Sequence, residues 1–425
     1  MEKARRGRST DAVRKTAKTE LVVERELLAN VACGRVVIPL NKKRRGVRTC
    51  GIGAGLSTKV NANIGSSRDK HSVAFELAKL REALKAGADT VMDLSTGGDV
   101  RKIRRAILEN CPVPLGTVPV YEAFVRAVNR AGETPSSPRA RLDPAELFDV
   151  IEQQADDGVD FMTVHAGLTA AALERLSKQK RVTGIVSRGG ALLASWMKHS
   201  GRENPLYEHF DRVLEIAKKH DVTLSLGDGL RSGCLDDAHD RAMVQEMIFL
   251  GELAQLCLRE GVQAIIEGPG HMPLDQIAAN VKMQKSLCGG APYYLLGPLV
   301  TDVAPGYDHI TSAIGGAAAA AAGADFLCYV TPSEHLGLPT PDDVRLGVIA
   351  SRIAAHAADV CKLGRRALDT SMSAARKALD WRTQENLAID PAKFALYREN
   401  KKRKKPGDNT CSMCGEYCAY LVSPE

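Results

Sequence analysis

Val222-Thr-Leu-Ser-Leu-Gly-Asp228-Gly229 is a short, almost wholly apolar run that ends in a carboxylate and a glycine. Runs of this design recur along the chain, and a stretch with helical spacing of apolar residues follows each of them. A continuous apolar run is typical of a strand that is buried on both faces. Strands that alternate with helices pair in parallel. The pattern therefore predicts an α/β fold.

Nine such runs occur, and their number and endings distinguish two architectures. They are Val60–Gly65, Thr90–Ser95, Val113–Tyr121, Phe161–His165, Gly184–Gly189, Val222–Gly229, Ala264–Gly268, Tyr293–Gly297 and Phe326–Thr331. A TIM-type (β/α)8 barrel would use eight of them and leave one for another place. A doubly wound open sheet is the alternative, but it exploits only its switch point. The barrel is favoured because nearly every run ends in a polar residue, and in a barrel all these ends meet at one mouth.

The remaining segments predict four parts of the chain: an N-terminal segment (1–55), the barrel (56–340), C-terminal helices (341–400) and a linker with a cysteine tail (401–425). A short strand is expected at Arg35–Pro39, a loop at Pro135–Arg139 and a charged, extended linker at Lys401–Pro406. Helices are predicted at Glu20–Val31, Val73–Ala86, Ala242–Glu260, Val344–Lys362, Asp369–Asp380 and Arg382–Ile389, with an alanine-rich helical patch from Gly315 to Gly323.

Composition excludes several classes of protein. The formal charge of +7 is concentrated in Lys3–Lys15 and Lys401–Lys405. Neither stretch carries the interleaved aromatics of a nucleic-acid-binding arm, so both are interpreted as solvated segments. No apolar run is long enough to span a membrane, and no apolar region follows the basic N-terminus as in a secretory signal. Eleven cysteines are an odd number and do not form a disulfide pattern, so a reducing cytoplasm is expected.

Three of those cysteines, Cys411, Cys414 and Cys418, lie within eight residues of one another. This spacing allows one short loop to direct three thiolates at a single soft metal centre. Three thiolates on a [4Fe-4S] cluster leave one iron open to a non-protein ligand. A zinc knuckle with a fourth ligand from elsewhere, or a set of incidental thiols, remains an alternative.

Two histidines near strand ends predict a second metal site. Gly268 and Gly270 allow the turn in Glu267-Gly-Pro-Gly-His271, and His335 follows the last apolar run. Two imidazoles on neighbouring strand ends could share one metal and leave positions open for water or substrate. Each could instead be an ordinary hydrogen-bonded histidine. Asp308 and His309 are candidate acid–base or supporting groups.

Two arginines predict an oxyanion site. Ser187-Arg188-Gly189-Gly190, interpreted as a strand end, offers a guanidinium and a series of backbone amides. The segment Asp228-Gly229-Leu230-Arg231 adds a carboxylate and a second guanidinium. Phosphate sites are frequent at the mouth of this fold. Outside such a fold, an arginine beside glycines is more often part of a surface loop.

Together with Cys411-Ser-Met-Cys414, several long motifs resemble those of the phosphomethylpyrimidine synthase family over nearly the whole chain. They are Asn61–Gly65, Met92–Gly97, Ser187–Gly190, Glu267–His271, Gly297–Asp302, Ala304–His309 and Cys328–Pro339. The resemblance implies a (β/α) barrel with a C-terminal iron–sulfur tail, in a homodimer whose tails cross to the partner's active site. It also implies a radical S-adenosylmethionine (SAM) lyase of thiamine biosynthesis. The expected substrate is 5-aminoimidazole ribotide and the expected product 4-amino-5-hydroxymethyl-2-methylpyrimidine phosphate.

The resemblance also implies the cofactors and the site residues. SAM would chelate the open iron and, after reduction by a donor of the flavodoxin or ferredoxin type, yield a 5′-deoxyadenosyl radical. Cys411, Cys414 and Cys418 would bind the [4Fe-4S] cluster, and His271 and His335 would bind Zn²⁺ or another divalent ion. The expected substrate contacts are Asn63, Met92, Tyr121, His165, Ser187, Arg188, Gly189, Asp228, Gly229, Leu230, Arg231, Glu267 and Tyr294, with Glu267, Tyr294 and Asp308 as catalytic groups.

Two departures and three alternatives accompany this resemblance. Three residues rather than four separate Cys414 from Cys418, and the long N-terminal domain of larger members is missing, which implies the short form. The sister enzyme 5-hydroxybenzimidazole synthase, which acts on the same ribotide for cobamide synthesis, is the main alternative. Ser66, where the family leads us to expect threonine, is compatible with it. A non-radical, metal-dependent barrel lyase and a nucleic-acid-binding protein with a zinc knuckle are more remote.

Overall fold

The structure, a computed structural model, describes residues 1–132, 142–399 and 410–423. Its centre is a closed barrel of eight parallel strands in the order β10-β3-β4-β5-β6-β7-β8-β9. The strands of the described residues are β1 (Val36–Val37), β2 (Ile52–Gly53), β3 (Lys59–Ile64), β4 (Thr90–Asp93), β5 (Leu115–Thr117), β6 (Phe161–Val164), β7 (Thr223–Leu226), β8 (Ala264–Gly268), β9 (Tyr293–Leu296) and β10 (Phe326–Cys328). The predicted TIM-type barrel is confirmed, and the open sheet is excluded because the barrel closes between β10 and β3.

Helices surround this barrel and connect consecutive strands. In the N-terminal part and the first barrel units they are α1 (Glu2–Arg5), α2 (Asp11–Glu20), α3 (Glu24–Ala32), α4 (Val73–Ala86), α5 (Val100–Asn110), α6 (Pro119–Ala131), α7 (Pro144–Asp157) and α8 (Ala170–Ser177). In the rest of the barrel they are α9 (Arg188–Ser200), α10 (Pro205–Glu208), α11 (Phe210–His220), α12 (Arg241–Glu260), α13 (Ile277–Leu287), α14 (Asp308–Ala321) and α15 (Pro341–Lys362).

A second compact unit, Leu363–Glu425, follows the first unit, Met1–Lys362. Its helices are α16 (Ala367–Lys377), α17 (Trp381–Leu387), α18 (Pro391–Glu399) and α19 (Ala419–Val422). Within it, the Arg398 guanidinium lies 3.9 Å from the centre of the Trp381 ring. Helix α15 packs on α14 and α4 in the first unit, so the last barrel helix ends where that unit ends. The predicted loop at 135–139 and linker at 401–406 lie outside the described residues.

The Gly184–Gly189 run is not a strand, and this part of the prediction is wrong. Ser187 instead caps α9, and its hydroxyl accepts the Gly190 N–H at 3.2 Å. Serine is a preferred helix N-cap, and its local hydrogen bond competes with strand pairing. The Ser187–Gly190 motif is therefore at the start of a helix rather than at a strand end.

Two further predicted elements differ from the structure. The strand expected at Val113–Tyr121 is only β5, because Pro119 opens α6 and places Tyr121 on that helix. Proline suits the first turn of a helix, where its missing N–H costs nothing. The helix expected at Glu20–Val31 is α3 and begins only at Glu24, since Leu21 adopts a left-handed conformation (φ 56°) that ends α2 at Glu20.

The barrel core has the composition that the apolar runs predict. Every residue of β4, β6 and β7 is buried, as expected for strands covered on both faces. The short antiparallel pair β1–β2 aligns Val36 with Gly53 outside the barrel. None of the helices in the described part of the chain combines the length and apolar character needed to cross a bilayer.

Candidate active site

A cavity of about 80 Å³ opens at the carboxyl ends of the barrel strands, which we call the mouth. Eight of the predicted substrate-contact side chains line it. These are Asn63, Met92, Tyr121, His165, Asp228, Arg231, Glu267 and Tyr294. Parallel strands bring them together because each strand ends at the same rim.

Glu267, near the end of β8, is held by hydroxyl groups from the two preceding strands. Thr163 on β6 donates to its Oε1 at 2.7 Å, and Ser225 on β7 donates to the same oxygen at 2.6 Å. Thr163 and Ser225 are partners in the β6–β7 register, so their side chains leave the sheet side by side. The second carboxylate oxygen thus stays available at the cavity wall.

A polar network around Asn61 and Asn63 of β3 borders another part of the cavity. The Asn61 amide donates to Asn63 Oδ1 at 2.7 Å and lies 2.8 Å from the Tyr294 hydroxyl. Asn63 in turn donates to the Cys328 thiol at 2.9 Å. Tyr294 also stacks on Phe326, with ring centres 4.2 Å apart. These contacts fix the orientation of Asn63 and Tyr294 before any ligand arrives.

Asp228 and Arg231 form a buried ion pair at the end of β7. Their carboxylate and guanidinium are 3.1 Å apart. Burial raises the pKa of Asp228 to about 8, against the opposing effect of Arg231 and with a further increase from Glu267. Although burial alone lowers the pKa of Arg231, the Asp228 charge raises it above its ordinary value. Asp228 Oδ2 has no hydrogen-bond partner among the described residues, so one carboxyl oxygen remains to bind a ligand.

His165 is a neutral imidazole enclosed by the start of α9. Burial, with a smaller effect of Arg231, lowers its pKa to about 3. Its Nε2 lies 3.2 Å from the Ser187 hydroxyl. A β-carbon on Gly189 would come within 2.3 Å of the ring, so only glycine lets the helix backbone approach this closely. Ser187 and Gly189 therefore belong to the site although they do not line the cavity.

The start of α9 also provides groups that suit an anion. The Arg188 guanidinium lies 5.0 Å from the centre of the Tyr121 ring, which lines the cavity. A helix N-terminus presents unpaired N–H groups and a partial positive charge. The predicted oxyanion site thus draws its amides from a helix start.

His271 and His335 come together beside the mouth, with ring centres 5.3 Å apart. They follow β8 and β10, which β9 separates, so the prediction of neighbouring strand ends is wrong in that detail. Each imidazole is oriented through Nδ1: His271 by Asp302 at 2.7 Å and His335 by Asp308 at 3.0 Å. Burial lowers the pKa of His271, against the effect of Asp302.

This arrangement fits a divalent metal. A carboxylate that holds Nδ1 leaves Nε2 as the ligand atom, which is the usual arrangement around metal-binding histidines. No group of three or more His, Cys, Asp or Glu side chains in the described ranges forms a ready-made metal site. Two protein ligands leave further positions for water or a bound molecule.

The cysteine tail forms a compact turn. The Gly415 N–H donates to the Cys411 carbonyl at 3.1 Å, and the Cys418 N–H donates to the Gly415 carbonyl at 3.2 Å. Cys411 is half-buried, Cys414 is exposed and Cys418 is buried. The three thiols are close in sequence but do not form a ready-made metal site among the described residues; as thiolates they have the donor chemistry of an iron–sulfur cluster.

Several groups of the site had not been predicted as such. Thr163 and Ser225 orient Glu267, Cys328 lines the cavity, and Asp302 orients His271. Thr163 could have been found, because it lies two residues before His165 in the same apolar run, whereas Ser225 lies three residues before Asp228 and no alternation points to it. Asp302 follows β9 in the motif Gly297–Asp302, and no role had been assigned to it. Only its partner, His271, had been predicted as a site residue.

Several known proteins are similar to the chain over nearly its whole length. The family model of the radical SAM ThiC family matches residues 1–425. Phosphomethylpyrimidine synthase from Moorella thermoacetica is 57% identical over 427 residues, which cover 100% of this chain and 97% of the relative. The enzyme of that name from Desulforudis audaxviator is 57% identical over 421 residues, 99% of this chain and 96% of the relative. A Dehalococcoides mccartyi enzyme of the same name is 56% identical over 425 residues, 100% of this chain and 97% of the relative.

Among solved structures, dihydropteroate synthase from Xanthomonas albilineans aligns with a TM-score of 0.40 and 14% identity. The alignment covers 75% of this chain and 97% of that chain. A likeness of this degree carries no argument about function.

Proposed function

Because the chain belongs to the radical SAM ThiC family, we propose that it converts 5-aminoimidazole ribotide to 4-amino-5-hydroxymethyl-2-methylpyrimidine phosphate for thiamine biosynthesis. The observation that carries the proposal is the identity of 56–57% with phosphomethylpyrimidine synthases over essentially the whole chain. The same relatives favour the pyrimidine product over 5-hydroxybenzimidazole. The chain is accordingly a radical SAM lyase that uses a [4Fe-4S] cluster and SAM.

Cys411, Cys414 and Cys418 would hold the cluster. When bound, the cluster and SAM supply one-electron chemistry that removes hydrogen atoms from the substrate. The protein has to bind the ribotide, hold it still and exclude water, since reactive intermediates would otherwise be lost.

The phosphate of the ribotide is assigned to the start of α9. Arg188, the amides after Ser187 and the nearby Arg231 provide positive charge and donors. The neutral state of His165 keeps a hydrogen-bonding imidazole there without the cost of a buried charge. The sugar then extends toward Asn63, Met92 and Tyr121.

The aminoimidazole ring is assigned to the carboxylate side of the cavity. Glu267 presents a fixed carboxylate, and Tyr294 presents an oriented hydroxyl beside Asn61. Both can exchange hydrogen bonds or protons with ring nitrogens. Asp228, with a pKa near neutrality, can act as donor or acceptor at the same ring.

The His271–His335 pair is proposed to bind Zn²⁺ or another divalent ion through Nε2. Asp302 and Asp308 support that role by holding Nδ1. Asp308 is thus proposed to position His335 rather than to contact the substrate. We also propose a homodimer, a one-electron donor of the flavodoxin or ferredoxin type and a cytoplasmic location, all consistent with an oxygen-sensitive biosynthetic enzyme.

The proposal is tested with anaerobically reconstituted protein, SAM, a reductant and ribotide. 5′-Deoxyadenosine should form in the presence of ribotide, and Cys414→Ala protein should form none. Cys361→Ala is the matched control, because Cys361 is an exposed thiol outside the tail. Ribotide-dependent 5′-deoxyadenosine in Cys414→Ala protein at the wild-type rate would contradict the assignment of the cluster to the tail.

A further inference from the structure

Glu246, a buried side chain on the outer helix α12, contacts the site segment Asp228–Arg231 from behind. The Leu230 N–H donates to Glu246 Oε2 at 2.8 Å. Glu246 is 1% exposed, and its other oxygen, Oε1, has no hydrogen-bond partner in the described part of the chain. A carboxyl group with this degree of burial is retained only at a cost in free energy, which points to a role beyond packing.

A second contact, from the N-terminal end of α12, holds the carbonyl group of Leu230. Arg181 donates to the Leu230 carbonyl at 2.6 Å, and its guanidinium is paired with Asp240, the residue that caps α12. The N–H and the C=O of Leu230, which belong to the two consecutive peptide units on either side of its Cα, are therefore both held from α12, one through Glu246 and one through Asp240 and Arg181.

This peptide lies next to the start of α9. A β-carbon on Gly229 would be 3.0 Å from Glu246 Oε1 and 3.4 Å from Gly190 Cα. A β-carbon on Gly190 would be 2.2 Å from the Gly229 carbonyl oxygen. The backbone of residues 228–231 is thus packed between Glu246 and the helix start to which the ribotide phosphate is assigned, with no space to shift.

We infer that Glu246 is a positioning residue that sets the place of Asp228 and Arg231 for the ribotide by anchoring the Leu230 peptide. The inference rests on the proposed function. Glu246 is not itself a lining residue of the cavity, and its carboxyl is coupled electrostatically to Asp228. Burial and the charge of Asp228 raise the pKa of Glu246 to about 8.

The charged and titratable groups that face this pair come from several elements. Asp228 faces Arg231 on its own segment, Glu267 on β8, Tyr121 on α6, Tyr293 on β9 and Glu246 on α12, whereas Glu246 faces Asp228 and Arg181. Asp228 and Glu246 are a coupled pair of carboxyl groups, in which each raises the pKa of the other once it is ionised, and a glutamine at position 246 removes this coupling. The pH at which Asp228 ionises should therefore fall.

The test measures ribotide binding by calorimetry without SAM, and KM and kcat in the complete assay, for Glu246→Ala and Glu246→Gln. Glu246→Ala should weaken ribotide binding and raise KM about ten- to hundredfold, as expected when the buried Leu230 N–H is left without its acceptor. Glu246→Gln can still accept the Leu230 N–H, so its affinity should lie within about threefold of wild type. In the pH profile of ribotide binding, the change caused by ionisation of Asp228 should occur at lower pH in Glu246→Gln than in wild type. Glu252→Ala, at an exposed position of α12, is the matched control.

Either of two results would overturn the inference. In the first, Glu246→Ala binds ribotide as tightly as Glu252→Ala does. In the second, Glu246→Gln loses as much ribotide affinity as Glu246→Ala, and its pH profile of binding equals that of wild type. If Glu246→Ala does not fold, the pH profile of Glu246→Gln decides alone, and Arg181→Gln should show the same loss of affinity from the carbonyl side. Failure of wild-type protein to bind ribotide would instead refute the proposed function.

Discussion

At Glu267, two hydroxyl donors converge on one carboxylate oxygen, from Thr163 at 2.7 Å and Ser225 at 2.6 Å. A glutamine can accept both of these hydrogen bonds through its single carbonyl oxygen. The change from glutamate to glutamine therefore removes the charge and the basicity while it preserves the supporting contacts.

We predict that Glu267→Gln lowers product formation at least about a hundredfold, the usual contribution of a positioned acid or base. Ribotide binding should change much less, because the side chain keeps its shape and its partners. Rates from single-turnover assays, together with calorimetric affinities, check this. Glu252→Gln is the control. If Glu267→Gln forms product at the rate of Glu252→Gln, Glu267 is not an acid or base in the reaction.

The pKa of Asp228 predicts a pH dependence of stability. It is about 8 in the folded protein, above the ordinary value of about 4 for an unfolded chain. Between these values the folded protein holds a proton that the unfolded chain has released. The contribution of Asp228 to stability is thus complete below about pH 4 and is lost as the pH rises through about 8.

Asp228→Asn should therefore show a smaller fall in the free energy of unfolding between about pH 5 and pH 8.5 than wild type, measured by urea denaturation. Asp236→Asn, at an exposed carboxylate in the same connection, should behave as wild type. Equal falls for Asp228→Asn and Asp236→Asn would mean that Asp228 is ionised in the folded protein at neutral pH.

At the scale of elements, the close approach of α9 to the segment after β7 depends on Gly190. A β-carbon there would overlap the Gly229 carbonyl oxygen at 2.2 Å. We expect Gly190→Ala to destabilise the protein by about 1–3 kcal/mol, the usual cost of overpacking, and to weaken ribotide binding.

Gly337→Ala provides the comparison, because a β-carbon at this position meets nothing within 4 Å. Its urea midpoint and ribotide affinity should equal those of wild type. If Gly190→Ala behaves in the same way, the packing of Gly190 against Gly229 does not determine the geometry of the site.

The barrel strands could be predicted because their apolar runs are continuous and their period is regular. Gly184–Gly189 has the same composition but no free place in the closed barrel, and the Ser187 cap makes a helix start there. Tyr121 was expected on a strand because Val113–Tyr121 is apolar throughout, whereas Pro119 starts a helix. The Ser187 cap and the closure of the barrel decided the first case, and the proline at the start of α6 decided the second. Neither is visible in the pattern of hydrophobic residues.

At the scale of the molecule, strand-end residues such as Asp228 and Glu267 could be predicted because a barrel brings all its strand ends together. Glu246 and Arg181 could not be predicted, since they lie on an outer helix and on a loop. They act on the site only through the backbone N–H and C=O of Leu230. Their sequence context is that of ordinary helix and loop residues. The contribution of helices behind the strands requires the three-dimensional arrangement.

The molecule is proposed to hold two metal centres with different ligands, and each should be lost separately. The double variant His271→Ala/His335→Ala should lose its bound divalent ion and keep iron, because the tail cysteines are unchanged. Cys414→Ala should lose iron and keep the divalent ion, and Cys361→Ala should keep both. Metal analysis of anaerobically purified proteins checks this. Retention of the divalent ion by the histidine double variant would exclude that pair as its site.

The most direct test of the central claim is the mass of the product that purified, reconstituted enzyme makes from 5-aminoimidazole ribotide with SAM and a reductant. The account predicts 4-amino-5-hydroxymethyl-2-methylpyrimidine phosphate, which retains the phosphate group. Detection of 5-hydroxybenzimidazole, or unchanged ribotide with an intact iron–sulfur cluster, would contradict it.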